Sequence, residues 1–209
     1  MKRIALAIAM LIAVADAPAH AQTLAGPRGA NGEGIGVEGT WDGAMFLELA
    51  YVRRLRTPLL GRPGGFRLSL GTTVPWRTVR ATAGLIMVAA RADDLALVVG
   101  GAVVGAAGAI EGGHTTSFGL SLGVQAGWMA ERAYVSAFAS LRPTLITLDV
   151  PDDTSSEGRG LPAARLVFGV QAGVAVVPAL IVFVAGGAYH AIGRGEVGPV
   201  ITAGVRVHP

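Results

Sequence analysis

The chain has no cysteine, which excludes a disulfide framework and a thiolate-held metal centre. Lys2 is its only lysine, so every other cation is an arginine, and the arginines are scattered rather than run together. The basic patch with interleaved aromatics that nucleic acid requires is therefore absent, and no nucleic-acid partner is expected. Without a further lysine, Gly-rich runs such as Gly100-Gly101 and Gly186-Gly187 cannot be phosphate loops of the G-x-x-x-x-G-K-S/T kind. Beyond the leader the histidines are His114, His190 and His208, with no pair at i, i+4 spacing, so no metal and no cofactor is expected. Charged residues are scarce, at 15%, and aromatics amount to 6%.

Long apolar helices are missing as well. The continuous apolar stretches Leu95 to Ile110 and Val174 to Tyr189 are shorter than the roughly 18 residues of a membrane-crossing helix. Both are loaded with glycine, which weakens a helix by about 1 kcal/mol per residue relative to alanine. Yet 52% of the chain is hydrophobic and its mean hydropathy is +0.54, too apolar for disorder and high for a soluble globule. The composition points to a membrane.

The N-terminus supplies an address. Met1-Lys2-Arg3 is a positive start, Ile4 to Ala15 an apolar run of about a dozen residues, and Ala19-His20-Ala21 a small-x-small cleavage site before Gln22. Residues 1–21 are thus expected to be a cleaved secretory signal and 22–32 a flexible lead-in. A single β-barrel domain is expected over 33–209.

A spanning chain satisfies its own backbone hydrogen bonds, so helix and closed barrel are the two solutions, and side-chain period decides between them. From Phe118 to Trp128, Phe118, Leu120, Leu122, Val124, Ala126 and Trp128 alternate with Gly119, Ser121, Gly123, Gln125 and Gly127. The same period returns with Leu166, Phe168, Val170, Ala172 and Val174 against Arg165, Gly169, Gln171 and Gly173. It returns again with Val135, Ala137, Ala139 and Leu141 against Ser136, Ser140 and Arg142. Gly123-Val124-Gln125-Ala126-Gly127 repeats as Gly169-Val170-Gln171-Ala172-Gly173, each copy followed by a short break and another strand, as in a meander of hairpins.

Strands are expected near 34–41, 43–55, 65–74, 80–91, 95–109, 116–128, 133–148, 162–176, 179–191 and 197–207. Eight is the count if two of these merge. With both termini in the periplasm, the polar loop Val150 to Gly160 falls outside the cell, while Arg56 to Gly64 makes an anomalously long inner connection. Trp41, Trp76 and Tyr189 flank outer loops and Trp128 and Tyr134 an inner turn, so these rings are expected at the membrane rims.

The leader, the alternating strands and the loop asymmetry resemble the small outer-membrane β-barrel proteins of Gram-negative bacteria. That resemblance implies an all-β, up-and-down antiparallel transmembrane barrel of 8 to 10 strands. It also implies an outer-membrane location, contact with outer-membrane lipid, and insertion by the outer-membrane assembly machinery. The chain departs from the pattern in ending Val205-Arg206-Val207-His208-Pro209, without a terminal aromatic.

Alternation alone places Glu48, Arg67, Gln125, Arg142, Arg165, Gln171 and Arg206 on the lumen face. A bare charge in a dry interior costs several kcal/mol, so these residues are expected to pair inside, with Arg142 and Arg206 held by Glu48 and the two amides. The expected function is non-enzymatic, structural or interaction-based, with a largely filled lumen and no assigned small-molecule ligand. A narrow anion-leaning pore is the alternative, since arginine predominates on that face. More distant alternatives are a polytopic helical inner-membrane protein and a lipid-modifying rim hydrolase built on Glu111, His114 and Ser117.

Overall fold

The computed structural model describes residues 34–74, 77–110, 113–130, 132–151 and 164–207. The expected signal and lead-in lie outside them, as do Trp76, Glu111, His208 and most of the polar loop. Ten strands follow one another: β1 Gly34–Trp41, β2 Met45–Arg54, β3 Gly64–Val74, β4 Thr78–Ala92, β5 Leu95–Ile110, β6 Gly113–Met129, β7 Ala133–Pro151, β8 Ala164–Val177, β9 Leu180–Ile192 and β10 Glu196–Val207. Each pairs antiparallel with its neighbours in sequence, and β1 closes on β10 from Ile35↔Val207 to Trp41↔Ile201. Closure leaves no unpaired edge, which is what lets a sheet lie in hydrocarbon.

Period two decides the faces. Along β1 the buried residues Gly34, Gly36, Glu38 and Thr40 alternate with outward Ile35, Val37, Gly39 and Trp41. On β6, Leu122 is 52% exposed and its neighbour Ser121 2%. The outer surface is a belt of branched aliphatics such as Leu49, Leu70, Val124, Val170 and Ile201, an arrangement only lipid makes favourable.

Glycine and its permissive backbone close several turns. Gly43 between β1 and β2, and Gly193 and Gly195 between β9 and β10, hold positive φ. The connection from Leu55 to Pro63 is not slack. Leu59 and Arg62 exchange backbone hydrogen bonds of 2.9 and 2.8 Å across Leu60 and Gly61, both at positive φ, and Leu55 N–H donates to Gly64 O at 2.9 Å. The length expected there is absorbed by a small hairpin cap.

We call the end holding Gly34 and Val207 the near end and the opposite end the far end. The walls are uneven: β1 has 8 residues and β7 has 19. β6 starts at Gly113 and β7 runs to Pro151, both beyond the expected limits, because these two strands keep pairing up to Gly113↔Pro151 across a register shift at Phe118/Gly119.

Candidate functional site in the barrel interior

The inner face is layered. At the near end Val52, Val88, Val98, Met129, Tyr134 and Ile181 form a buried apolar floor. Above it lies a chain of alternating charges. Glu38 and Glu48 sit directly opposite each other in the β1–β2 ladder, where two carboxylates side by side repel. Arg67 on β3 resolves this by reaching both, with Nη2 donating to Glu48 Oε1 at 2.9 Å and to Glu38 Oε1 at 3.2 Å. Arg206 on β10 lies 3.5 Å from Glu38 Oε1, and Arg80 on β4 donates closely to Glu48 Oε2. The sequence Arg206–Glu38–Arg67–Glu48–Arg80 thus spans five adjacent strands, every side chain at most 7% exposed. Arg80 also lies 4.3 Å over the Phe46 ring.

The opposite wall carries neutral polar groups. The Gln125 amide donates to Ser136 Oγ at 2.8 Å and the Gln171 amide to the same oxygen at 3.2 Å. The internal repeat therefore has a structural meaning: β6 and β8 flank β7 and bring equivalent glutamines to one serine. The Ser121–Ser140 pair continues this wall at 3.3 Å, while on the charged side Thr40 and Thr202 meet at 2.8 Å across the β1–β10 seam. Toward the far end Phe138, Val167, Ala185 and Val200 form a second apolar cluster with Tyr189 against it. A cavity of about 10 Å³ beside Arg67, Thr82 and Ser121 has room for about one water.

Of the residues singled out by alternation, Glu48, Arg67, Gln125, Gln171 and Arg206 are buried inside. Arg142 and Arg165 are half-buried, directly paired in the β7–β8 ladder. Arg165 Nη1 is 3.8 Å from Asp42 Oδ2, and its guanidinium lies 4.7 Å over the Tyr189 ring. Arg206 meets Glu38, and the two glutamines meet at Ser136, because ladder register sets who stands beside whom.

Glu38 and Arg80 were not among the expected interior residues. Glu38 sits on the shortest strand, whose signal was Ile35, Val37 and a turn. Arg80 stood at the expected start of its strand, where the real one begins at Thr78. Tyr134 and Tyr189 are corrected from rim to interior: both share the inward parity of their strands and lie over glycines, Gly173 and Gly198, that leave space for a ring. Trp41 and Trp128 face outward near opposite ends. His114 and Ser117, three apart on β6, point to opposite faces, so the rim hydrolase loses its geometry.

The geometry settles the class. A single-chain antiparallel barrel with an even strand number, an apolar outer belt and a polar interior is the outer-membrane form of spanning protein, and the protein resides there in contact with lipid. No protein-family model matches the chain, and no curated protein matches it. Among solved structures it is similar to the KdgM porin, at 6% identity over 83% of this chain and 98% of that one with a TM-score of 0.47. It is similar to the NanC porin at 7% identity over 83% and 98%, TM-score 0.48. A third is the outer membrane protein Omp33 of Acinetobacter baumannii, at 12% identity over 86% and 100%, TM-score 0.32.

Proposed function

We propose that this outer-membrane barrel is non-enzymatic and non-conducting, serving a structural or interaction role through its ends while its lumen is filled by its own side chains. The observation that carries this is the Arg206–Glu38–Arg67–Glu48–Arg80 chain set between two apolar clusters. Phe46, Val98, Gln125, Val167, Val200 and Thr202, on five different strands, are essentially out of reach of water. Ten-stranded barrels are narrow enough for side chains to close them. Insertion by the outer-membrane assembly machinery belongs to the same reading.

The test is reconstitution of the full barrel into planar lipid bilayers at high salt. No steady conductance is expected, and stable open levels would overturn the proposal. A second reading, a narrow anion-leaning pore, is favoured by the buried and half-buried charges. Arg67, Arg80, Arg142, Arg165 and Arg206 face Glu38, Glu48 and Asp42 among the described residues. That reading requires wild type to conduct, with an anion preference that falls when Arg142 or Arg206 is neutralised.

A further inference from the structure

We propose that the connection between β2 and β3 is a docking surface for the anionic headgroup of a phospholipid, in the leaflet that the near end of the barrel enters. The inference goes beyond a filled lumen and holds whether or not the lumen conducts.

The first observation is the direction in which this connection leans. Leu55 and Gly64 pair beyond the end of β2 and continue the outward parity of Tyr51, Arg53, Phe66 and Leu68. Gly64 is nevertheless buried, because the Leu59 side chain lies over its outer face, where an added Cβ would stand 2.7 Å from Leu59 Cδ1. The hairpin cap is therefore folded back onto the lipid-facing wall rather than across the mouth, and it continues the apolar belt.

The second observation is the tip of the cap. Leu60 is 92% exposed and holds a φ of 49°, a left-handed conformation that a bulky side chain adopts only at a cost. Two-residue turns of this kind favour asparagine, aspartate or glycine at that position. Water does not reward a leucine held open in this way, whereas the boundary between headgroups and acyl chains does. Tyr51 and Phe66, outward and edge to face at 5.8 Å, mark the rim beside it, the level at which amphipathic rings meet headgroups.

The third observation is charge. Arg56 and Arg62 are exposed in the cap, Arg53 and Arg54 precede it at the end of β2, and the sequence has no acidic residue between Glu48 and Asp93. The other segments at the near end carry nearly as many arginines as acids, Arg28, Arg91 and Arg132 against Glu33, Asp93, Asp94 and Glu131, so the surplus stays with this connection. Guanidinium groups beside an anionic membrane surface are attracted to it, and each fork can take two oxygens of one phosphate. A second copy of the barrel would set like charge against like here, so an anionic headgroup is the occupant that the surface fits.

The experiment uses the full barrel folded into phosphatidylcholine vesicles with a minor share of phosphatidylglycerol. Phe66→Trp serves as the reporter beside the cap, and the parent barrel gives the background of its own tryptophans. Brominated phosphatidylglycerol should quench the introduced indole more than brominated phosphatidylcholine at the same fraction, with a relative association constant of at least about ten. Arg56→Gln together with Arg62→Gln should remove most of that preference, and Leu60→Asp should lower it. Arg194→Gln, in an exposed turn of the far end, should leave it unchanged. Mass spectra of the unsubstituted barrel released from detergent give the same reading without a reporter, as phosphatidylglycerol retained ahead of phosphatidylcholine. Retention without preference would overturn the proposal whatever the reporter does. So would a preference that the two arginine replacements leave intact, or one abolished by free inorganic phosphate at matched ionic strength.

Discussion

Replacing Gly173 by alanine tests whether the interior is packed as tightly as the inward tyrosine implies. Gly173 pairs directly with Tyr134 in the β7–β8 ladder, and a Cβ there would lie 2.3 Å from Tyr134 Cε1, 2.8 Å from Cζ and 3.0 Å from Phe183 Cβ. Carbon atoms rest about 3.5–4.0 Å apart, so the ring must move by more than about 1 Å. It has little freedom to do so, being 1% exposed among Met129, Phe183 and Ile181. Overpacking of this kind costs about 1–3 kcal/mol. Gly186, outward on β9 with nothing within 4 Å of an added Cβ, is the control, and alanine there should be neutral or slightly stabilising. Urea unfolding of the barrel folded into vesicles, followed by tryptophan fluorescence, reads both. Tyr134→Leu removes the obstructing ring edge, so a double-mutant cycle with Gly173→Ala should show coupling of at least about 1 kcal/mol. If Gly173→Ala is as harmless as Gly186→Ala, or the cycle shows no coupling, the packing argument fails.

Three further outcomes are expected. Glu48→Gln strips the carboxylate shared by Arg67 and Arg80 and should cost about 3–5 kcal/mol in the same unfolding assay; a loss below 1 kcal/mol would mean that the chain of charges is not a stabilising unit. Leu122→Arg should cost about 2–4 kcal/mol, and because the chain has no native cysteine, labels at Leu122→Cys and Ser121→Cys should divide, with only the first quenched from lipid. Joint replacement of Gln125 and Gln171 by alanine should lower the unfolding temperature, and Ser136→Ala alone should reproduce much of that loss, since both amides bond to one hydroxyl.

The strands were legible because lipid imposes a period of two on one face, and that period survives in any stretch where the inward residues are small or polar. The β6 segment shows it most plainly, and its inner positions from Gly119 to Gly127 follow from the sequence without a slip. Legibility falls at strand ends. β1 is only 8 residues long, too short for alternation to stand out, and with it the position of Glu38 was lost. The tyrosines misled for a different reason. An aromatic next to a turn fits a headgroup girdle by sequence distance, but parity overrides distance, and Tyr134 falls on the same side of β7 as Ser136 and Ser140.

Partner identity was not legible, because it depends on the register between strands, which alternation along one strand does not carry. Nothing in the chain order says that Glu38 meets Glu48, that Arg206 crosses the β10–β1 seam to Glu38, or that Arg142 stands opposite Arg165. Hairpin register produces two like-charge pairs on the inner face among the described residues, Glu38 with Glu48 and Arg142 with Arg165. The carboxylates of Glu38 and Glu48 are bridged by Arg67, a single side chain bonded to both, with Arg206 and Arg80 capping the ends. The guanidiniums of Arg142 and Arg165 lie nearer the opening on half-buried residues, with Asp42 3.8 Å from Arg165. The same sheet therefore holds one like-charge pair bridged by a single arginine in the filled middle of the barrel and another set nearer its mouth.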